Sequence, residues 1–101
     1  MIELNTKEEL QKVKDDIGMS VVKFGTEWCG KCRSIEKQLD EIQKDYSGLN
    51  FYKIDLDKVD VADEYGINDL PVVIAFYKGK EVSRLNDANL DDWMRFIILP
   101  W

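Results

Sequence analysis

The two cysteines, Cys29 and Cys32, are the residues with the clearest capacity for chemistry. They are the only cysteines in the chain, and they lie in the stretch Trp28-Cys29-Gly30-Lys31-Cys32. An apolar run, residues 19–24, comes directly before this stretch, and a helical pattern, residues 33–46, comes directly after it. A strand that delivers two cysteines to the first turn of a helix favours a redox pair, because the unpaired N–H groups of that turn stabilise a thiolate.

The spacing of the two cysteines fits the same chemistry. Positions i and i+3 lie on one face of a helical turn, which brings two sulfurs within reach of a disulfide. Gly30 is expected to let the backbone turn tightly between them, and Lys31 adds a cation where the thiolate would form. The motif therefore predicts a dithiol that cycles to a disulfide and back.

Composition narrows the class of protein. The chain has 101 residues, enough for one domain over residues 1–101, and a net charge of −6, which argues against a nucleic-acid partner. It has no histidine, which removes Cys–His nucleophile pairs and most zinc sites. A closed zinc site needs four ligands, so metal binding by this pair would require two chains. We therefore expect a monomer that uses no cofactor.

Hydropathy and the first residues suggest where the protein works. No apolar stretch approaches the roughly 20 residues that span a membrane. The start of the chain lacks the basic segment and long apolar core of a signal peptide, which predicts a cytosolic location and no membrane association. In a reducing compartment a single Cys-x-x-Cys pair is typical of catalytic or metal-binding sites rather than permanent disulfides.

The N-terminal half contains the elements that position the cysteines. Thr6 and Glu9 form a capping box, which predicts a helix whose buried positions are Leu10, Val13 and Ile17, ending at Gly18. Residues 19–24 predict a central strand, and the stripe over residues 35–46 predicts the helix that follows the cysteines.

The second half of the chain continues the alternation of strands and helices. Residues 51–56 predict a strand, residues 59–65 a short helical or irregular connection, and residues 72–77 and 81–85 an antiparallel hairpin. Asn89 is a candidate cap for a last helix, whose buried stripe is Leu90, Trp93 and Ile97. The order β-α-β-α-β-α-β-β-α predicts the α/β class, with a mixed sheet of four to five strands and helices on both faces.

With the cysteines at a strand-to-helix junction and Pro71 before a buried strand, the chain resembles the thioredoxin family over nearly its whole length. The pieces that carry the resemblance are Phe24, Glu27-Trp28-Cys29-Gly30, Cys32, Lys53, Asp57, Tyr65-Gly66-Ile67, Leu70-Pro71 and Phe76-Tyr77-Lys78-Gly79. The resemblance implies a thioredoxin fold.

The family resemblance also implies how the site works. Cys29 would attack a substrate disulfide, and Cys32 would resolve the mixed disulfide that results. Pro71 would follow a cis peptide bond and hold extended backbone for a substrate strand, and Trp28 would pack beside the pair. The expected partners are disulfide-containing proteins as substrates and a reductase as electron donor.

Three positions depart from the family pattern. Lys31 stands where thioredoxins have proline, and a cation that stabilises the thiolate predicts a more oxidising couple. Lys23 stands where they have a buried carboxylate that assists proton transfer at the second cysteine. Asn86 stands where they have a glycine beside the proline and cysteines, which would reshape the substrate groove.

The two strand lysines leave alternatives open. Lys23 could be a neutral proton acceptor, a cation that favours thiolates and pairs with Asp55 or Asp57, or a side chain that extends past the sheet edge without a chemical role. Lys53 is either a functional residue or, more commonly, a solvated strand lysine.

The leading hypothesis is a thiol–disulfide oxidoreductase that reduces protein disulfides. One rival is a thioredoxin-fold docking module in which the cysteines are incidental, which the departures at Lys23 and Asn86 favour. A second rival is a more oxidising disulfide-exchange or isomerase protein, which Lys31 favours and the absent signal peptide disfavours.

Overall fold

The computed structural model describes residues 1–85 and 89–98, which form a five-stranded sheet flanked by helices on both faces. In chain order the elements are β1 Ile2–Leu4, α1 Lys7–Asp15, β2 Ser20–Gly25, α2 Gly30–Gln43, β3 Asn50–Asp55, β4 Val72–Tyr77, β5 Lys80–Leu85 and α3 Leu90–Ile97. The predicted fold class is confirmed.

Strand β2, which leads to the cysteines, lies at the centre of the sheet. The spatial order is β1-β3-β2-β4-β5, with β2 parallel to β3 and antiparallel to β4. Every residue of β2 is buried, as expected of a strand covered on both faces. The cysteines therefore follow directly from the most enclosed strand of the sheet.

Two apolar cores fill the space between the sheet and its helices. Leu10 of α1, Val22 and Phe24 of β2 and the connection around Val59 belong to one core. The alternate β2 residue Val21 joins Leu39 of α2 and Trp93 of α3 in the other. Because side chains alternate along a strand, β2 contributes to both cores at once.

Side chains cap two of the helices as the sequence predicts. Thr6 Oγ1 accepts a hydrogen bond from the Glu9 N–H at 3.0 Å, and Glu9 Oε1 accepts one from the N–H of Asn5. Asn89 Oδ1 likewise accepts from the N–H of Asp92 at 3.2 Å, and the predicted stripe of α3 is buried. The bonds from the N–H groups of Glu9 and Asp92 satisfy donors that the first turn of a helix leaves free.

Two expectations for the helices are wrong. Helix α1 ends at Asp15, because Asp16 adopts an extended backbone and its carboxylate accepts from the N–H of Ile17 at 2.8 Å. Ile17 is consequently 89% exposed instead of buried. Of the two alternatives for residues 59–65 the irregular connection forms, with a turn over residues 62–66, so the third helix of the predicted element order is wrong; Val59, Val61 and Ile67 each enter the core, and this packing overrides the helical spacing.

The β4–β5 hairpin forms as predicted. Lys78 and Gly79 have φ angles of 54° and 81°, and two central residues with positive φ give the turn that matches the twist of the flanking strands. The Gly79 N–H also donates to the carbonyl oxygen of Lys14 at 2.8 Å. The hairpin is thereby fastened to the end of α1.

Candidate active site

The two cysteines occupy different positions at the start of α2. Cys29 is the N-cap of the helix, and its sulfur accepts a hydrogen bond from the backbone N–H of Cys32 at 3.2 Å. Both are free thiols; Cys29 is partly exposed, whereas Cys32 has no exposed surface. No acidic residue lies in the first turn of α2 to oppose a negative charge there.

The surroundings of Cys29 favour its thiolate. Burial acts to raise the pKa of Cys29, but hydrogen bonds from Cys32 and the backbone N–H of Lys31, with the nearby charge of Lys23, lower it below its ordinary value. Lys31 thus acts through its backbone, and the cation that acts on this sulfur is the buried Lys23. An effect of the Lys31 ammonium on the thiolate stays a prediction.

Cys32 is in the opposite state. Burial, its hydrogen bond with Cys29 and the charge of Cys29 raise the pKa of Cys32 to about 11, although the Thr26 backbone and Lys23 act against them. One thiol of the pair is therefore set up to ionise and the other to keep its proton.

Gly25, the last residue of β2, brings the buried thiol against the strand. A Cβ at this position would lie 2.7 Å from the Cys32 sulfur and 3.6 Å from Cε of Lys23. A distance of 2.7 Å is too short for a real carbon–sulfur contact, so a side chain here would displace Cys32. No sequence pattern indicates this role, because it depends on how closely α2 approaches β2.

Gly30 does not need to be glycine in the way the motif suggests. It is the first residue of α2, its φ is not positive, and a Cβ there would meet only Arg33 Nη2 at 4.0 Å. The tight turn between the cysteines is an ordinary helical turn.

Lys23 pairs with a carboxylate that the sequence reasoning missed. Its side chain is nearly fully buried, with Nζ 3.1 Å from Oε2 of Glu36. Lys53 Nζ lies 2.7 Å from the other oxygen, Oε1, of the same carboxylate. The partner is therefore neither Asp55 nor Asp57, and Lys23 does not extend past the sheet edge into solvent.

Sheet register explains why both lysines share one partner. Lys23 and Lys53 lie side by side in the parallel pair of β2 and β3, so two cations face the same helix. Glu36 comes four residues after Cys32 and lies on the same face of α2. That spacing was the signal available in the sequence. Lys53 is half-buried and paired, not a solvated lysine.

The pKa values of this cluster follow from its hydrogen bonds. Burial acts to raise the pKa of Glu36, but hydrogen bonds from Lys53 and Lys23 lower it below its ordinary value. The hydrogen bond to Glu36 in turn raises the pKa of Lys53. The carboxylate is therefore held in its charged form between two ammonium groups.

Trp28 sits at the surface beside the cysteines. It is 71% exposed, and its Nε1 donates to Oδ2 of Asp57 at 2.9 Å. This bond holds the ring outward, so most of the Trp28 side chain faces solvent. Asp57 follows β3, whose end lies beside the end of the parallel strand β2.

Pro71 lies at the same edge of the sheet. The Leu70–Pro71 peptide bond is cis, as the resemblance implies. Val72 pairs with Phe24, which places Pro71 beside the end of β2 from which the cysteine loop departs. Asn86 lies outside the described residues.

The described residues contain no cluster of three or more His, Cys, Asp and Glu side chains arranged to hold a metal ion. Over the same two ranges, no helix combines the length and apolar character needed to cross a bilayer.

Comparisons with known proteins consistently match this chain to thioredoxins. The family model described as Thioredoxin matches residues 1–98. Thioredoxin H-type of Fagopyrum esculentum is 35% identical over 91 residues, which cover 89% of this chain and 78% of the relative. Thioredoxin-2 of Saccharomyces cerevisiae is 40% identical over 70 residues, covering 68% and 67%.

A solved structure agrees with these relatives. The X-ray structure of Fasciola hepatica thioredoxin is 30% identical and has a TM-score of 0.85, with 97% of each chain covered. Such similarity in both sequence and fold favours an oxidoreductase over a docking module or an isomerase. With its cysteine pair at the start of α2 and its cis proline at the same sheet edge, the chain belongs to the thioredoxin family of thiol–disulfide oxidoreductases, which reduce protein disulfides through a cysteine pair and need no cofactor.

Proposed function

We propose that Cys29 is the attacking nucleophile and Cys32 the resolving thiol of this reductase. The observation that carries the proposal is the contrast between the two sulfurs: Cys29 is accessible with a lowered pKa, and Cys32 is enclosed with a raised one. The thiolate is the reactive form of a cysteine, so the accessible thiolate meets the substrate first.

The reaction proceeds in two exchanges. Cys29 thiolate attacks one sulfur of the substrate disulfide, forming a mixed disulfide and releasing the other substrate sulfur as a thiolate, which takes a proton. Cys32 then loses its proton and attacks the Cys29 sulfur. The second substrate thiolate leaves, and the substrate is reduced by two electrons while Cys29 and Cys32 become a disulfide.

The neighbouring residues have supporting roles in this proposal. Lys23 stabilises the Cys29 thiolate by its charge, and Lys31 does so through its backbone N–H. Lys53 holds Glu36, and through it the position of Lys23. Pro71 and Trp28 border the cysteines, where Pro71 offers extended backbone to a substrate strand.

Partners and location follow from the chemistry. Members of this family take disulfide-containing proteins as substrates and receive electrons from a reductase. A dithiol reductant needs a compartment that returns it to the reduced state, so we assign this chain to the cytosol, in an electron-transfer chain fed by a reductase.

The first test replaces each cysteine with serine. Cys29→Ser should abolish reduction of a protein disulfide, because no other thiolate is accessible to begin the reaction. Cys32→Ser should also lose turnover but should accumulate a mixed disulfide through Cys29, visible as a band of higher mass on a non-reducing gel. The double variant is the control and should trap nothing.

Two results would refute the assignment. Turnover by Cys29→Ser near the wild-type rate would mean that the reaction starts elsewhere. Mixed disulfides that accumulate with Cys29→Ser instead of Cys32→Ser would reverse the two roles.

A further inference from the structure

A cavity of about 230 Å³, bordered mostly by residues with charged side chains, lies between α2 and the sheet, behind the cysteine pair. Its wall includes Lys23, Gly25 and Thr26 of the β2 segment, Glu36 of α2 and Lys53 of β3. Because Gly25 has no side chain and the Cys32 sulfur lies against it, the cavity ends close to the buried thiol. A cavity of this volume has room for several water molecules.

Thr26 lines this cavity and has an unpaired hydroxyl. Thr26 is 6% exposed, and its hydroxyl is the one buried side-chain oxygen or nitrogen in residues 1–85 and 89–98 without a hydrogen-bond partner. Leaving a buried hydroxyl unpaired costs about 1–3 kcal/mol. A hydroxyl that lines such a cavity avoids this cost by bonding to water.

Cys32 needs a route by which its proton can leave. It must lose a proton before it attacks the mixed disulfide, yet it has no exposed surface through which to reach bulk solvent. Lys23, the side chain that replaces the family's strand carboxylate, is an ammonium paired with Glu36 and has no free site to accept a proton. Another route for the proton is required.

We infer that Thr26 is a proton-relay residue for Cys32, its hydroxyl holding cavity water that carries the proton from the buried thiol toward Glu36 and solvent. This inference rests on the proposed role of Cys32 as the resolving thiol. The raised pKa of Cys32 makes such a route more important, because few of these thiols are ionised at neutral pH.

Protons, electrons and bonds balance in the attack by Cys32. The Cys32 S–H proton passes to a cavity water hydrogen-bonded to Thr26, and a proton leaves the same water chain at the solvent end. Cys32 keeps the electron pair and forms a bond to the Cys29 sulfur. The bond between Cys29 and the substrate breaks, and the departing thiolate takes a proton from solvent.

The test follows the two steps separately by stopped-flow absorbance with 5,5′-dithiobis(2-nitrobenzoate). Attack by Cys29 releases the first thionitrobenzoate, and attack by Cys32 on the mixed disulfide releases the second. Thr26→Val removes the hydroxyl while keeping the side-chain shape, and Thr26→Ser keeps the hydroxyl. Thr26→Ala replaces Thr26→Val if urea unfolding shows that the valine variant is not folded.

The first phase should be within twofold of wild type in every variant. The second phase should slow by about tenfold or more in Thr26→Val and remain near wild type in Thr26→Ser. A second phase in Thr26→Val within twofold of wild type, or one equally slow in Thr26→Ser, would overturn the relay. A wild-type protein without any second phase would instead refute the proposed role of Cys32.

Discussion

At the scale of single residues, the chemistry of the site depends in part on the charge of Lys23. It is a nearly fully buried cation whose charge acts on both Cys29 and Cys32, and its ion pair with Glu36 fixes it in place. A positive charge beside the pair favours thiolates, which stabilises the reduced protein over the disulfide. This argues for a couple more oxidising than the roughly −270 mV of thioredoxin.

Replacing Lys23 with methionine tests this influence. In Lys23→Met the pKa of Cys29 should rise toward that of an ordinary thiol, because the cation is gone while Glu36 keeps its bond to Lys53. Alkylation of Cys29 at pH 7 should slow by about threefold or more, and the reduction potential should become more negative.

Lys12→Met, on the exposed surface of α1, is the matched control and should change neither quantity. An unchanged alkylation profile in Lys23→Met would show that the helix start alone sets the reactivity of Cys29.

At the scale of elements, the ion pairs of Glu36 hold α2 against the sheet. One carboxylate joins this helix to β2 through Lys23 and to β3 through Lys53. These bonds lie one turn beyond Cys32, so they also fix the distance between the thiol and Gly25. Helix α2, which carries the cysteines, is thereby held in a fixed position against the two parallel strands β2 and β3.

Glu36→Gln should lower the free energy of unfolding by about 2 kcal/mol at pH 7, because Lys23 is left as an uncompensated buried charge. The folded-state pKa of Glu36 lies below its unfolded value of about 4.3, so the carboxylate stabilises the protein above that pH. This stabilisation is lost as the pH falls through the folded-state pKa. Urea unfolding from pH 7 to pH 3.5 should show the difference between wild type and variant shrinking at the acid end.

The control is Glu41→Gln on the same helix. Glu41 pairs with Lys44 at 3.6 Å, but both side chains are exposed, so its loss should have little effect. An equal effect of the two substitutions would contradict the role given to Glu36.

Local patterns predicted most of the elements, because each depends on neighbours in sequence. The caps at Thr6 and Asn89 and the hairpin at Gly79 are examples. The pairing of Glu36 with Lys23 and Lys53 was not predicted, because these partners lie on two strands whose register cannot be read from the sequence. The exposure of Ile17 was not predicted for a different reason: the helical spacing of apolar residues continues past Asp15, where the helix ends.

At the scale of the whole molecule, surface charge and sheet coverage favour a single chain in solution. The net charge of −6 opposes self-association, and helices cover both faces of the sheet. The edge strand β5 carries Lys80, Glu81 and Arg84, and charged side chains discourage edge-to-edge pairing.

The reduced protein should therefore be a monomer. Light scattering after gel filtration should give a mass near 11.8 kDa, and X-ray scattering a radius of gyration slightly above the 12.4 Å of the Cα atoms. A mass twice as large at about 100 μM protein, unchanged by reductant, would contradict this expectation.

The central place of β2 has a consequence for the lifetime of the site. Local opening of a protein begins at edges and termini, and backbone amides exchange with solvent most slowly in strands bonded on both sides. Strand β2 is bonded to β3 and β4, whereas β1 and β5 each have one neighbour. The segment that holds Cys29 and Cys32 is thus anchored to the part of the molecule that opens last, and the pair stays assembled while the edges of the sheet fluctuate.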